Sequence, residues 1–454
     1  MLFNTPEFFL FLGAVLLLFY VLPFQARKPL LLAASYFFYM SWIPKFILLL
    51  VALTLIDYAA AVWIASTDSQ RRRKAALIIS LCANLGLLGF FKYYNFFATT
   101  IAHVLGRPAD SFAMSITLPL GISFHTFQSV SYVIDVYRRE QKPVRNLLDY
   151  ALFISFFPQL VAGPIVRARE FFGDLEKWRP PQSAEVSYGV LLVLFGLAKK
   201  VVVADRFAQI SDAYFKSVHT HPGALTAWSG MLAFGVQIFF DFSGYTDMAI
   251  GMAALFGFHF PENFRRPYLA TSITDFWRRW HMSLSRWLRD YLYIPLGGNR
   301  GSRWKTYRNL MITMLLGGLW HGASWNFVVW GGYYGLLLSI ERVLRLARPI
   351  TMLLTFPLVL IGWIFFRAAT LPDSLYVLGE AFRGSAGSFQ IPEWLMILLA
   401  ITFVLALTEE FFGWFKKVAE GPAWVYGIVG ALVLMTIELL GYSGPAVPFV
   451  YFQF

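Results

Sequence analysis

Apolar stretches close to 20 residues long recur along this chain, and that recurrence limits how it can fold more than any other feature. About 20 apolar residues wound into a helix cross the hydrocarbon core of a bilayer. Candidate spans lie at 8–24, 29–43, 46–66, 75–97, 115–137, 149–166, 186–206, 224–258, 308–320, 324–346, 350–367, 394–413 and 424–443. Some are short, and 224–258 is long enough for a span plus a re-entrant turn. Counting the convincing ones suggests roughly eleven spans. In lipid, backbone groups are satisfied only by helices or closed barrels, and these stretches are too long and too evenly apolar for barrel strands. The expected fold is an all-α polytopic membrane protein, built as one continuous domain over residues 1–454.

Composition agrees. Only 14% of the 454 residues are charged, against about 25% in a typical soluble domain, so most of the outer surface must face lipid. The first segment, MLFNTPEFFLFLGAVLLLFYVLPF, has no basic leader region and no clear small-x-small cleavage site, and is expected to stay as a first membrane helix. The net charge of +12 sits in short inter-helix segments: Arg27-Lys28, 71–74, 138–145 and 278–308. That is the pattern of cytoplasmic loops, attracted further by anionic lipid headgroups, and nucleic acid is not an expected partner. Cys82 stands alone, which excludes an internal disulfide or a paired-cysteine metal site, and is expected to be a small core residue. No G-x-S-x-G elbow, Walker loop, H-E-x-x-H or Rossmann glycine run is present, so neither a bound cofactor nor a metal is expected.

One segment is neither apolar enough to span nor polar enough to be a loop: SITDFWRRWHMSLSRWLRDYLYIPLGGNR, residues 272–300. On a helix it places Trp277, Trp280, Leu284, Trp287, Leu288 and Tyr291 on one face, with Arg278, Arg279, Ser283, Arg286, Arg289 and Asp290 on the other. Ser272 or Thr274 can cap its start, and Pro295 with the following glycines ends it. An amphipathic helix over 272–294 lying in the membrane interface is expected. His281 falls on its apolar side.

Ionisable groups inside membrane segments are costly and face a cavity or the bundle interior. His321 sits in GGLWHGASWNFVVWGG, among small residues that allow helices to approach closely. A histidine hydrogen-bonded across a helix pair is as good a local reading as chemistry. Asp241 and Asp247 lie in QIFFDFSGYTDMAIG and need partners, most simply a helix end or an arginine. His125 suits a helix contact. His219 and His221, beside Pro222, suit a surface loop.

At these residues the chain resembles the membrane-bound O-acyltransferases, in particular the bacterial branch that acylates alginate, peptidoglycan and lipoteichoic acid. The matching stretches are ISFHTFQSVSYVIDVYR, FISFFPQLVAGPIVR, FFDFSGYTDMAIG, DFWRRWHMSLSRWLRDYLYIPLGGNR and LLGGLWHGASWNFVVWG, between about residues 120 and 340. The resemblance implies a ring of transmembrane helices around a central passage in a bacterial cytoplasmic membrane. It implies that His321 is the catalytic histidine and His281 the second functional position.

The implied activity moves an acyl group, most simply acetyl, from a cytoplasmic thioester to a hydroxyl of an extracytoplasmic polysaccharide. An acetyl-CoA or acyl-carrier protein would supply the thioester as co-substrate. Imidazole titrates near the working pH and can take the hydroxyl proton. Trp320 and Asn326 are candidate donors to the oxyanion, and Asp241, Arg278 and Arg279 candidate substrate contacts. The eight Arg and Lys between 278 and 308 would attract an anionic donor. An extracytoplasmic acetyltransferase or esterase-like protein is an implied partner. The competing reading is a proton-coupled transporter or flippase using the intramembrane His and Asp residues, but the inverted repeat of broken helices that would support it is not evident.

Overall fold

The computed structural model describes residues 1–160, 163–344, 346–387, 390–445 and 447–450, and among them every regular element is helical. Contacts divide the chain into two compact units. One comprises Met1–Gln182 with Ala249–Pro261, the other Ser183–Met248 with Glu262–Phe454.

Among the described residues, eight helices are long and apolar enough to cross a membrane: Pro44–Ser66, Gln70–Val104, Ser183–Phe215, Ala224–Leu255, Trp325–Leu344, Arg348–Arg367, Glu393–Phe412 and Ala423–Leu440. The count of about eleven is therefore not confirmed, and the reason is physical. The stretch read as 115–137 becomes a helix only from Ile122 to Arg138, and its Ser123, His125, Thr126, Gln128, Ser129 and Ser131 are all buried. A helix covered by protein all round can carry hydroxyls and amides that lipid would not tolerate. The stretch 149–166 breaks at Phe156 into Leu147–Ser155 and Phe157–Leu160, and residues 161–162 lie outside the described part. Arg303–His321 opens on a strongly basic turn. In contrast, 224–258 makes no re-entrant turn; it is one 32-residue helix.

The first unit is organised around aromatic packing and one buried polar knot. Phe8, Phe38 and Phe157 meet at ring separations of 5.8–6.5 Å. Asp57 on the Pro44–Ser66 helix, fully buried, accepts from Ser80 Oγ at 2.5 Å and Asn84 Nδ2 at 2.8 Å. Cys82 on the neighbouring turn is exposed rather than in the core. Its helix buries Arg73, Ala76, Ser80, Asn84 and Leu88, a stripe that leaves Cys82 on the opposite face.

In the second unit, Ser183–Ala198 runs through a π-helical turn, Lys199–Ala204, into Asp205–Phe215. That turn carries the partners of both membrane aspartates. Lys199 Nζ is 2.5 Å from Asp247, and Lys200 Nζ lies 2.8 Å from both Asp205 and Asp241. The partners are lysines, not the helix end or arginine that the sequence suggested. Two helices of this unit leave most of their surface outward, with Ile397 62% and Leu439 70% exposed, which is the surface lipid would cover.

Candidate functional site

The 272–294 segment starts as its sequence suggests: Ser272 Oγ accepts from Asp275 N at 3.1 Å. It then departs from one continuous helix. Ile273–Arg279 ends at Trp280, and a new helix, Met282–Leu288, begins after His281, whose φ of 42° and ψ of 55° are left-handed. A non-glycine residue there carries a cost of about 1–2 kcal/mol, so something must hold it. The loop before it does. Met282 N donates to Asn263 O at 2.9 Å, Ser283 N to Asn263 Oδ1 at 3.0 Å, and Arg265 N to Arg279 O at 2.9 Å. One loop therefore satisfies backbone groups on both sides of the break. The amphipathic stripe could not reveal this, because the spacing of polar and apolar residues carries no signal of one residue's backbone conformation.

The two faces separate only in part: Ser283, placed on the polar face, is buried, and the tryptophan face packs against protein. Trp280, Leu284 and Trp287 are buried, and Trp280 lies 4.8 Å from the Trp363 ring and 5.6 Å from Phe276. Arg278 and Arg289 are exposed. Arg279 bridges Asp275 at 3.1 Å and Glu410 at 2.9 Å, and Arg266 joins the same Glu410. This ties the break to the Glu393–Phe412 helix.

His321 is the last residue of Arg303–His321. Its glycines serve packing: a Cβ at Gly318 would collide with the Phe327 carbonyl, and one at Gly331 with that of Met314. This close approach sets His321 among rings, with Trp320 at 5.0 Å, Trp330 at 5.1 Å and Phe366 at 5.2 Å. His281, fully buried, lies 4.8 Å from Phe242 and 6.0 Å from the same Trp320. Trp320 thus neighbours both imidazoles. Burial lowers the His281 pKa to about 3, so this ring is neutral at physiological pH.

The structure brings together His281, Trp320 and His321. Asn326 is buried, and its Nδ2 donates to Ala368 O at 2.8 Å, holding the start of one helix against the end of the next. Asp241 is committed elsewhere, to Lys200 and to Val450 N at 2.6 Å. Arg278 is on the surface and Arg279 in the ionic bridge. His125 is buried in the first unit, while His219 sits on an exposed turn facing Asp373 at 3.1 Å. Among the described residues, no group of three or more His, Cys, Asp or Glu could hold a metal. Sequence reasoning missed Asn263, Phe242, Trp330 and Phe366. Trp330 lay nine residues beyond His321 in the quoted motif, on the helix that follows; Asn263 has no local signal.

These features define a multi-span helical membrane protein with two buried imidazoles gathered around one tryptophan. The membrane-bound O-acyltransferase family matches residues 139–367. A probable alginate O-acetylase AlgI of Azotobacter vinelandii is 44% identical over 408 residues, covering 87% of this chain and 79% of that protein. A peptidoglycan O-acetyltransferase of Helicobacter pylori is 39% identical, covering 83% and 79%. A teichoic acid D-alanyltransferase of Bacillus subtilis is 33% identical over 237 residues, covering 48% and 58%. The chain belongs to the membrane-bound O-acyltransferase family and is an acyltransferase.

Proposed function

We propose that this protein, acting as one membrane module in a bacterial cytoplasmic membrane, takes an acetyl group from a cytoplasmic thioester and passes it to a hydroxyl of an extracytoplasmic polysaccharide. Transfer is direct or relayed through an extracytoplasmic acetyltransferase. An alginate-like polymer is the substrate class suggested by the relatives' names. The observation that carries the reading is the gathering of His321 and His281 around Trp320.

In the proposed reaction His321 accepts the proton of the attacking hydroxyl, and its oxygen bonds to the thioester carbonyl carbon. The C–S bond then breaks, and the thiolate leaves with a proton returned by the imidazolium. Positioned acid–base catalysis of this kind contributes about 10²–10⁴-fold. Trp320 is the nearest indole to both rings and the better oxyanion donor, since the Asn326 amide already holds Ala368. The donor's negative charge is met by an exposed basic surface, Arg278, Arg300, Arg303, Lys305 and Arg308. Acetyl-CoA and an acidic carrier protein both fit that surface.

The test is His321→Ala in a correctly inserted protein, with O-acetylation of the polymer measured in a host carrying the partner proteins. Near-normal acetylation would overturn the assignment.

A further inference from the structure

We propose that Asn263 is a positioning residue that holds His281 in the Nδ1–H tautomer and so presents Nε2 as a hydrogen-bond acceptor. This rests on the reading above that His281 belongs to the acyl-transfer site, although the tautomer itself can be tested without it.

The argument starts from one unambiguous donor. Ser283 N lies 3.0 Å from Asn263 Oδ1, and a backbone N–H can only donate. The side-chain oxygen of Asn263, not its NH2, must therefore face it, which removes the usual ambiguity of amide orientation. That same oxygen is 2.8 Å from Ser283 Oγ and 3.2 Å from His281 Nδ1. An amide oxygen carries no proton, so a hydrogen bond to Nδ1 requires the proton on the ring nitrogen. A neutral imidazole with Nδ1–H has its lone pair on Nε2.

The competing arrangement has Ser283 Oγ donating to Nδ1. Those atoms are 3.5 Å apart, much longer than the 2.8 Å from Oγ to Asn263 Oδ1. It would also set a ring lone pair against the amide oxygen. The geometry favours the first arrangement.

Asn263 and Ser283 are themselves buried, and Asn263 also receives the backbone N–H groups of Met282 and Ser283 just after the left-handed turn at His281. One residue therefore fixes where the imidazole sits, how it is turned and which nitrogen carries the proton. An acceptor at Nε2 suits a group that arrives with a proton to share, the hydroxyl of the acyl acceptor or the thiol released from the donor. His281 then orients that group, while His321 does the proton transfer.

The experiment is nitrogen NMR of the full-length protein, 15N-labelled at histidine, in lipid bilayers near neutral pH. The expected spectrum shows a protonated Nδ1 and an unprotonated Nε2 for His281. Asn263→Asp keeps an acceptor and should retain the tautomer; Asn263→Leu should populate the Nε2–H form. In the same variants, kcat for acyl transfer should stay within a few-fold for Asn263→Asp. It should fall on the order of tenfold or more for Asn263→Leu, with KM for the thioester little changed. A wild-type His281 protonated at Nε2 overturns the proposal, whatever the variants do. So does an Nδ1–H tautomer that survives Asn263→Leu. If the tautomer is as expected but neither Asn263→Leu nor His321→Ala alters transfer, the functional reading fails and the positioning of His281 stands.

Discussion

Two polar clusters are buried in the same unit, and they are built on opposite principles. In one, Lys200 lies between Asp205 and Asp241, all three almost wholly buried, and every charge has an opposite charge within 2.8 Å. In the other, His281 and His321 are set among the rings of Phe242, Trp320, Trp330 and Phe366, and His281 is held by the neutral amide of Asn263. A buried charge is tolerable only when paired, and once paired it has little left to offer a substrate. A neutral imidazole needs no counter-charge and keeps its capacity to take a proton. Under the proposed function, the contrast separates polar residues that hold helices together from those that serve the reaction.

The sharpest way to break this comparison is to remove one member of each cluster. His321→Ala should lower acyl transfer by about 10²–10⁴-fold while thermal stability stays near wild type; an assay of acyl transfer alongside a melting curve separates the two. Lys200→Met should do the reverse. It leaves two buried carboxylates unpaired and should cost about 3–5 kcal/mol, seen as loss of folded protein in detergent. Equal catalytic loss per folded molecule in both variants would erase the distinction.

Smaller effects sharpen it. Gly331→Ala places a Cβ against the Met314 carbonyl and should cost about 1–3 kcal/mol. Activity should fall more than stability, because the same contact positions His321. The pH dependence isolates His281. Its pKa is about 3 in the folded protein against about 6.5 when unfolded, so the unfolded chain binds the extra proton between those values. This residue's contribution to stability is therefore unchanged above about pH 6.5 and becomes progressively unfavourable as pH falls toward 3. His281→Gln should lose less stability than wild type between pH 7 and pH 4, read from melting temperatures. The least expected effect is at the rim. Arg278→Gln should raise KM for an anionic thioester about two- to threefold, more at low salt, and leave kcat alone.

Much of the fold was legible in the sequence because membrane helices announce themselves locally: eight of the apolar stretches are helices able to span. The difference in the count comes from helices such as Ile122–Arg138, whose polar residues are shielded by protein. Hydropathy measures a residue's own polarity, not who its neighbours are. The site was partly legible for a similar reason. His321 and His281 each follow a tryptophan in a segment of unusual composition. Asn263 could not be found that way, since it acts on a residue 18 positions later. Asp241 could be recognised as needing a partner, but not that the partner was Lys200, 41 residues back.

By itself the sequence determined that this chain is a helical membrane protein, that it belongs among acyltransferases, and which two imidazoles merit attention. Those properties follow from apolar length and contiguous motifs. Only the tertiary structure decided that the amphipathic segment breaks at His281, that the glycines beside His321 pack a hairpin, and that Asp241 is spent on Lys200. Each of these depends on which atoms meet across distant parts of the chain, which local composition does not record.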